Sequence, residues 1–384
     1  VRVTFVNKYY WPPHLGGIEH HLAMLASGLA KRPGMTVDAI VANEGRGTVR
    51  ETIDGVHVVR MGRTFAYAST PVVPGMGGAL RAAAPREGGT DLFHLMFPYP
   101  WGDASWLTAG APGPAVLTYH SDIVRQRLLG AAYRPLMRRV LDRVDRIIVG
   151  SPPMLEHSEV LAPYADKCRV VPFGIETERF EPTPTTLARA SALRDVHTRP
   201  IVLFVGRLIY YKGVDVLVRA MAGVDADLVM IGSGPLEEEL RSRAEASGIS
   251  DRVTFVPPVD DAELAAWYRA ADVFCLPSVA RSEAYGLVQL EAHASGTPVV
   301  CTDLPTGVPW VNVDGETGLV VPVGDAEALG AALARLLGDD ALRARMGARA
   351  HERALAEFSV DRMVERTLAV YDETPAAPMR RERR

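Results

Sequence analysis

Cysteine is scarce in this 384-residue chain, with only Cys168, Cys275 and Cys301. Three widely spaced thiols make neither a disulfide framework nor a CxxC metal knuckle, so a reducing compartment is expected. Long hydrophobic runs are missing too. No apolar stretch reaches the roughly 18 residues that a membrane-spanning helix needs, and Val1–Val6 carries no signal-peptide pattern. Nor is there an excess of positive charge: Lys+Arg 42 against Asp+Glu 46 leaves a net charge of -4. Binding to nucleic acid through bulk charge is therefore not expected. What is abundant is apolar: 48% of residues are hydrophobic, with 34 Gly and 28 Pro. That length and composition suit a cytoplasmic protein of two domains, each burying its own core.

Apolar runs of strand length alternate with segments of helical period. In the first half, Val1–Val6, Val37–Val41, Val56–Met61, Leu92–Met96, Ala115–Tyr119, Ile147–Val149 and Arg169–Val171 read as strands. Glu19–Ala30 and Ile123–Leu141 read as helices between them. The second half repeats the scheme with strands at Ile201–Val205, Leu228–Ile231, Val253–Val256, Val273–Leu276, Pro298–Cys301 and Gly318–Val321. Continuous Val/Ile/Leu runs belong to parallel strands buried on both faces. The expected class is α/β, with two doubly wound, Rossmann-like domains. The Pro/Thr-rich stretch 182–199 is the expected linker between a domain at 1–181 and one at 200–358. Segment 359–372 is expected as a helix completing the first domain, and 373–384 as a disordered tail.

In open parallel sheets, ligands sit beyond the carboxyl ends of strands. After the first strand, Gly16 and Gly17 open a helix, where backbone N–H groups favour an anion; a turn that merely needs glycine would look the same. After Ile201–Val205 comes Gly206-Arg207-Leu208-Ile209-Tyr210-Tyr211-Lys212-Gly213. Arg207 and Lys212 could place two cations on a diphosphate leaving group, or could be two solvated surface charges. Leu228–Ile231 runs into Gly232-Ser233-Gly234-Pro235, a turn feeding a helix. In Ser282-Glu283-Ala284-Tyr285-Gly286-Leu287-Val288-Gln289-Leu290-Glu291, one carboxylate precedes a helix and the second lies within it. Acids flanking N–H groups at a helix start fit a nucleotide-sugar, with hydroxyls on both sides of its phosphates. An ordinary loop with a solvated Glu fits the same pattern.

Together these segments resemble the GT-B glycosyltransferases of family 4, a retaining group. The match is ordered along the chain: His14-Leu15-Gly16-Gly17-Ile18-Glu19, Tyr119-His120-Ser121-Asp122, Val171-Pro172-Phe173-Gly174-Ile175, Val205-Gly206-Arg207-Leu208 with Lys212-Gly213, Gly232-Ser233-Gly234-Pro235, the Glu283-to-Glu291 E-x7-E, Gly296-Thr297-Pro298-Val299-Val300 and Asp314-Gly315-Glu316-Thr317-Gly318. The resemblance implies two Rossmann-like domains facing each other across a cleft. It implies that Arg207 and Lys212 bind the donor diphosphate, Glu283 holds hydroxyls of the transferred sugar, and Glu291 takes the ribose. Gly206, Gly234 and Tyr285 belong to the donor-binding turns, and Gly286, Leu287 and Val288 offer N–H groups to phosphate. Gly16 and Gly17 form a loop closing over the donor, and His120 lies beside the reacting sugar. Such enzymes keep the anomeric configuration and need neither metal nor cofactor. Where the family often has Gly-Gly-x-x-Glu, this chain reads Asp303-Leu304-Pro305-Thr306-Gly307-Val308-Pro309-Trp310. That version resembles bacterial polysaccharide mannosyltransferases and hints at GDP-mannose, with UDP-glucose the alternative donor. A phosphorylase, a sugar-nucleotide epimerase and a non-catalytic nucleotide-sugar-binding subunit are the rival readings.

Other constellations read more plainly. Asp225-Ala226-Asp227 has the form of a metal-binding DxD but precedes a strand, as a polar turn does. His20 and His21 have no partners at ligand spacing, so no metal site is expected. No G-x-G-x-x-G follows the first strand, as a dehydrogenase would require. His293 reads as helix packing. Between Asp122 and Arg146, seven arginines (Arg125, Arg127, Arg134, Arg138, Arg139, Arg143, Arg146) stand against Asp122, Asp142 and Asp145, for 7 - 3 = +4. This is either a solvated helix face or a surface for anionic lipid or a phosphate-bearing acceptor. The second alternative puts the protein peripherally at the inner face of the membrane.

Overall fold

The computed structural model describes residues 1–12, 16–67, 70–84, 89–110, 113–121 and 127–374, with side chains of 127–132 excepted. His14, Leu15, Asp122 and Arg125 lie outside the described residues. The chain divides into two compact units. Unit 1 comprises 1–150, 158–174 and the segment from Val360; unit 2 comprises 151–157 and 175–359.

Unit 1 carries strands β1 (Arg2–Val6), β2 (Thr36–Ala42), β3 (Val49–Ile53), β4 (Val56–Met61), β5 (Phe65–Tyr67), β6 (Thr70–Val72), β7 (Leu92–Phe97), β8 (Ala115–Tyr119), β9 (Arg146–Val149) and β10 (Cys168–Val170). Eight of them form one sheet in the order β10-β9-β8-β7-β1-β2-β4-β3, while β5 and β6 pair as a separate ribbon. All neighbours in the large sheet are parallel except β3 with β4. The strand order turns at β1 and β7. All six residues of β7 are buried, as expected of a strand covered on both faces.

Helix Val360–Asp372 completes unit 1. Met363 and Val364 join the core of Val3, Phe5, Leu22, Leu25 and Val37. At Gly28 a Cβ would come 2.7 Å from Val364, so only glycine lets the two helices approach this closely. The Tyr371 hydroxyl meets His94 Nδ1 at 2.6 Å under the sheet, and His94 Nε2 meets Thr118 Oγ1 at 2.6 Å. Arg32 pairs with Asp361, and Arg146 and Arg169 both reach Glu373.

Unit 2 carries β11 (Ile201–Val205), β12 (Asp227–Ile231), β13 (Val253–Val256), β14 (Val273–Leu276), β15 (Val299–Thr302) and β16 (Gly318–Val321), in the order β13-β12-β11-β14-β15-β16. Every pairing is parallel. This is the doubly wound dinucleotide-type order, with its switch point between β11 and β14.

Stretch 182–199, expected as a linker, is folded into unit 2. Thr183 caps helix Pro184–Asp195 by accepting the Thr186 N–H at 3.1 Å, with Pro184 at the first helical position. The helix packs on helix Asp261–Ala270, where Arg189 pairs with Glu263 at 2.7 Å, and Arg194 reaches Asp272 beyond that helix's end. Its polar sequence is that of a surface helix, and the chain passes between units at 150/151, 157/158, 174/175 and 359/360 instead.

Candidate active site

In unit 2 the expected residues gather at the switch point. The turn after β11 holds Gly206, Arg207 and Leu208; the turn after β12 holds Gly232, Ser233 and Gly234. The two lie backbone against backbone. The Leu208 N–H donates to Ser233 O at 3.0 Å, and Gly206 N–H to Ile231 O at 2.9 Å. A Cβ on Gly232 would overlap Gly206 O, and one on Gly234 would overlap Leu208. Glycine at both positions is thus a packing requirement.

Arg207 is exposed, whereas Lys212 is buried. A short helical turn, Tyr210–Lys212, lifts Lys212 toward β14, and Gly213 ends that turn with φ 64. The Lys212 Nζ lies 2.5 Å from Glu283 Oε2. Ser278 Oγ donates to the same carboxylate oxygen at 3.2 Å, and the Ser278 carbonyl accepts from Thr302 Oγ1 at 2.5 Å. Glu283 is therefore held by Lys212 after β11 and Ser278 after β14, and Thr302 at the end of β15 braces Ser278. Neither this pairing nor Ser278 and Thr302 showed in the sequence, since each belongs to a different strand end.

After Glu283 the chain passes Ala284 and Tyr285 to Gly286, whose φ of 72 allows the turn into helix Leu287–Ala294. First-turn N–H groups such as those of Leu287 and Val288 have no partner within a helix and suit an anion. Gln289, fully buried, donates from Nε2 to Tyr285 O at 2.7 Å and to Val308 O at 3.2 Å. Gly307 N–H donates to Ala284 O at 2.8 Å. The 303–310 loop thus braces the turn that carries Glu283.

Glu291 lies in the second turn of helix Leu287–Ala294 and has a different environment. The Tyr268 hydroxyl donates to its Oε2 at 2.7 Å. Burial pushes the Glu291 carboxyl up to about 7, against the opposing pull of the Tyr268 hydrogen bond. Tyr268 has no motif spacing to mark it. Asp225 and Asp227 are occupied elsewhere: Arg199 reaches both, and His197 meets Asp227 at 2.7 Å. His293 is buried in helix packing, and burial brings its imidazole down to about 3. Among the described residues no group of three or more His, Cys, Asp or Glu could hold a metal ion.

In unit 1, Gly16 is the N-cap and Gly17 the first residue of helix Gly17–Ala30. The Glu19 carboxylate folds back over this helix start, so a Cβ on Gly16 would overlap Oε2. Arg60, buried on β4, donates to Tyr10 O at 2.9 Å and Pro12 O at 2.5 Å, fixing the loop between β1 and that helix. His120 follows β8. Its Nδ1 lies 3.2 Å from Phe97 O and its Nε2 3.3 Å from His21 Nδ1. A carbonyl only accepts, so His120 carries its proton on Nδ1 and accepts from His21 on Nε2. The Phe173 ring stacks on His120 at 5.2 Å. Burial brings the His120 imidazole down to about 4, so it is neutral at pH 7.

Comparison with known proteins decides the family. The family model described as Glycosyltransferase Family 4 matches residues 15–179, and the one described as Glycosyl transferases group 1 matches 190–353. The O-antigen chain mannosyltransferase C of Escherichia coli is 32% identical over 371 residues, spanning 97% of this chain and 98% of its own. This chain belongs to the GT-B glycosyltransferases of the family 4 type. A phosphatidyl-myo-inositol mannosyltransferase of Mycobacterium leprae is 31% identical over 93% of each chain. A D-rhamnosyltransferase of Pseudomonas aeruginosa is 40% identical over 60% of each. Among solved structures, the sucrose-phosphate synthase of Thermosynechococcus elongatus superposes with TM-score 0.80 at 27% identity, covering 97% of this chain and 98% of that one.

Proposed function

We propose that this glycosyltransferase moves a hexose, of the mannose or glucose type, from a nucleotide-diphosphate sugar to an acceptor hydroxyl with retention of anomeric configuration and without a metal ion. The observation that carries the reading is the buried Lys212–Glu283 pair at the switch point of unit 2, with the exposed Arg207 in the turn that opens the connection leading to Lys212. Cations fixed at a leaving diphosphate stabilise the charge that builds as the sugar–phosphate bond breaks. Arg207 and Lys212 supply that charge where a divalent ion would otherwise serve. Glu283 accepts from sugar hydroxyls and Glu291 from the ribose, while the N–H groups after Gly286 face phosphate. His120, neutral at pH 7, adds no positive charge to oppose the cationic sugar of the transition state. The leaving phosphate oxygen takes the acceptor's proton.

The names of the relatives, an O-antigen chain mannosyltransferase and a phosphatidyl-myo-inositol mannosyltransferase, favour a mannose donor and a polysaccharide or lipid-linked acceptor. A basic face supports an acceptor held at an anionic surface: Arg134, Arg138, Arg139 and Arg143 are exposed on helix Arg127–Arg143. No helix among the described residues is long and apolar enough to cross a membrane. The working place proposed is the cytoplasmic face of a membrane. A donor panel read by nucleotide-diphosphate release, with mass and anomeric configuration of the product, tests the whole reading. An inverted product or release that depends on orthophosphate would overturn it.

A further inference from the structure

Phe65 and Tyr67 are 59% and 65% exposed, and with Tyr210 at 41% they are the only exposed Phe, Tyr or Trp among the described residues. They stand two apart on β5 and so point to one side of the β5–β6 ribbon. The register sets Phe65 opposite Val72 and Tyr67 opposite Thr70, which gives that side four residues and no charge. Between them Pro71 is buried, its carbonyl accepting from the Tyr99 hydroxyl at 3.3 Å. The indole of Trp101 donates to Val73 O at 2.8 Å. Tyr99 and Trp101 follow β7. At the root of the ribbon, Arg63 donates to the Tyr9 hydroxyl at 2.6 Å, and Tyr9 follows β1. The ribbon is thus tied to the loops leaving both strands at which the unit 1 sheet reverses, on the side where ligands bind.

Packing within the described chain gives no reason for two rings to face outward here. Flat, uncharged ring faces suit the apolar faces of pyranose rings, as aromatic platforms do for nucleobases. An anionic headgroup or a charged peptide would find no partner on this face. We propose that the ribbon is a platform for sugar rings of an extended, uncharged glycan acceptor, at a distance from the reacting hydroxyl. The proposal rests on the glycosyltransferase reading above and adds acceptor length to it. The ribbon leaves the sheet after β4 and reaches back to residues following β7, the neighbour of the strand β8 that leads to His120. It thus runs along three strand spacings, about 14 Å, more than one sugar ring covers and within the span of an oligosaccharide.

The test is calorimetric titration of the full chain with α-linked mannopentaose and maltopentaose, each against its methyl monosaccharide. Wild type should bind one pentaose at least about tenfold tighter than its monosaccharide, and the Phe65→Ala/Tyr67→Ala variant should lose that factor. The ring-keeping Phe65→Tyr/Tyr67→Phe variant should retain it. No preference for either pentaose in wild type, or equal weakening of both lengths in the alanine variant, would overturn the platform. So would unchanged pentaose binding with lost retention on neutral lipid vesicles, which would assign the rings to a bilayer. Acceptor-free nucleotide release from the donor checks the underlying reading separately and should be equal in all three proteins. If wild type releases none from any donor, the function proposed above fails, whatever the pentaoses do.

Discussion

Lys212 and Glu283 meet at 2.5 Å, both buried, across the point where the unit 2 sheet reverses its strand order. Neither charge has much water to return to. Removing one therefore leaves the other buried and uncompensated, which typically costs about 3–5 kcal/mol. Arg207, exposed on the turn after β11, has no such consequence.

That contrast separates catalysis from folding. Arg207→Ala and Lys212→Ala should each lower kcat by roughly 10²–10³. Only Lys212→Ala should also lower the melting temperature, and EDTA should leave wild-type turnover unchanged. Loss of activity in EDTA would sink the metal-free mechanism, and equal melting temperatures would deny the pair its structural part.

The two carboxylates should divide along similar lines. Glu291→Ala should mainly raise the donor KM, because ribose contacts serve ground and transition states alike. Glu283→Ala should depress kcat. The Glu291 carboxyl, pushed up to about 7, should also make the donor KM pH-dependent. Its ionised form is the stronger acceptor for hydroxyls, so KM should fall from pH 6 to pH 8 and stay flat in Glu291→Gln. A Glu291→Gln profile identical to wild type would remove Glu291 from the donor site.

Charge on helix Arg127–Arg143 should govern retention on vesicles. Arg143 lies over the Trp106 ring at 5.8 Å, so reversing it would disturb packing as well as charge. Arg134, Arg138 and Arg139 are the cleaner set. Their triple change to Glu should release the protein from anionic vesicles at low salt, where each exposed Arg is worth about 1 kcal/mol. High salt should release wild type as well. Equal, negligible sedimentation with anionic and neutral vesicles would leave this face merely solvated.

Acid should loosen the fold through its buried histidines. Burial holds His21 well below its usual range, His94 and His293 at about 3, and His120 at about 4. Below about pH 6.5 the unfolded chain takes up these protons and the folded one does not, so stability falls as pH falls. Asp103 and Glu291, both raised to about 7, oppose this between about pH 7 and 4, because they keep protons that the unfolded chain has lost. Four against two leaves a net destabilisation, of up to about 1.4 kcal/mol per uncompensated histidine per pH unit. The melting temperature should drop between pH 6.5 and 4.5, and less steeply in His94→Gln. A rise over that range would contradict the neutral state of these imidazoles.

Strands β7, β8, β11, β12 and β14 were legible because burial on both faces writes itself as an unbroken apolar run. β3 was not: Val49–Ile53 reads VRETI, an edge strand whose exposed face carries charge. The three-residue strands β5 and β6 are too short for any period to show. In the site, glycines and charges at strand ends stood out, since position after a strand is a one-dimensional signal. Their supports did not. Ser278 and Thr302 act through a contact between separate strand ends, Tyr268 and Gln289 through contacts made from two helices, and His21 meets His120 only once the sheet has formed.

Helix Val360–Asp372 gives unit 1 a peculiar history. Its core needs Met363, Val364 and Tyr371, yet some 200 residues separate Gly174 from the end of that helix. At the usual 5–20 residues per second of synthesis, that is about 10–40 s. For that interval the surface around Leu22, Gly28 and His94 that this helix will cover is open on the nascent chain. Unit 1 is begun before unit 2 and completed after it, and a chaperone that shields apolar surface would have its longest engagement there.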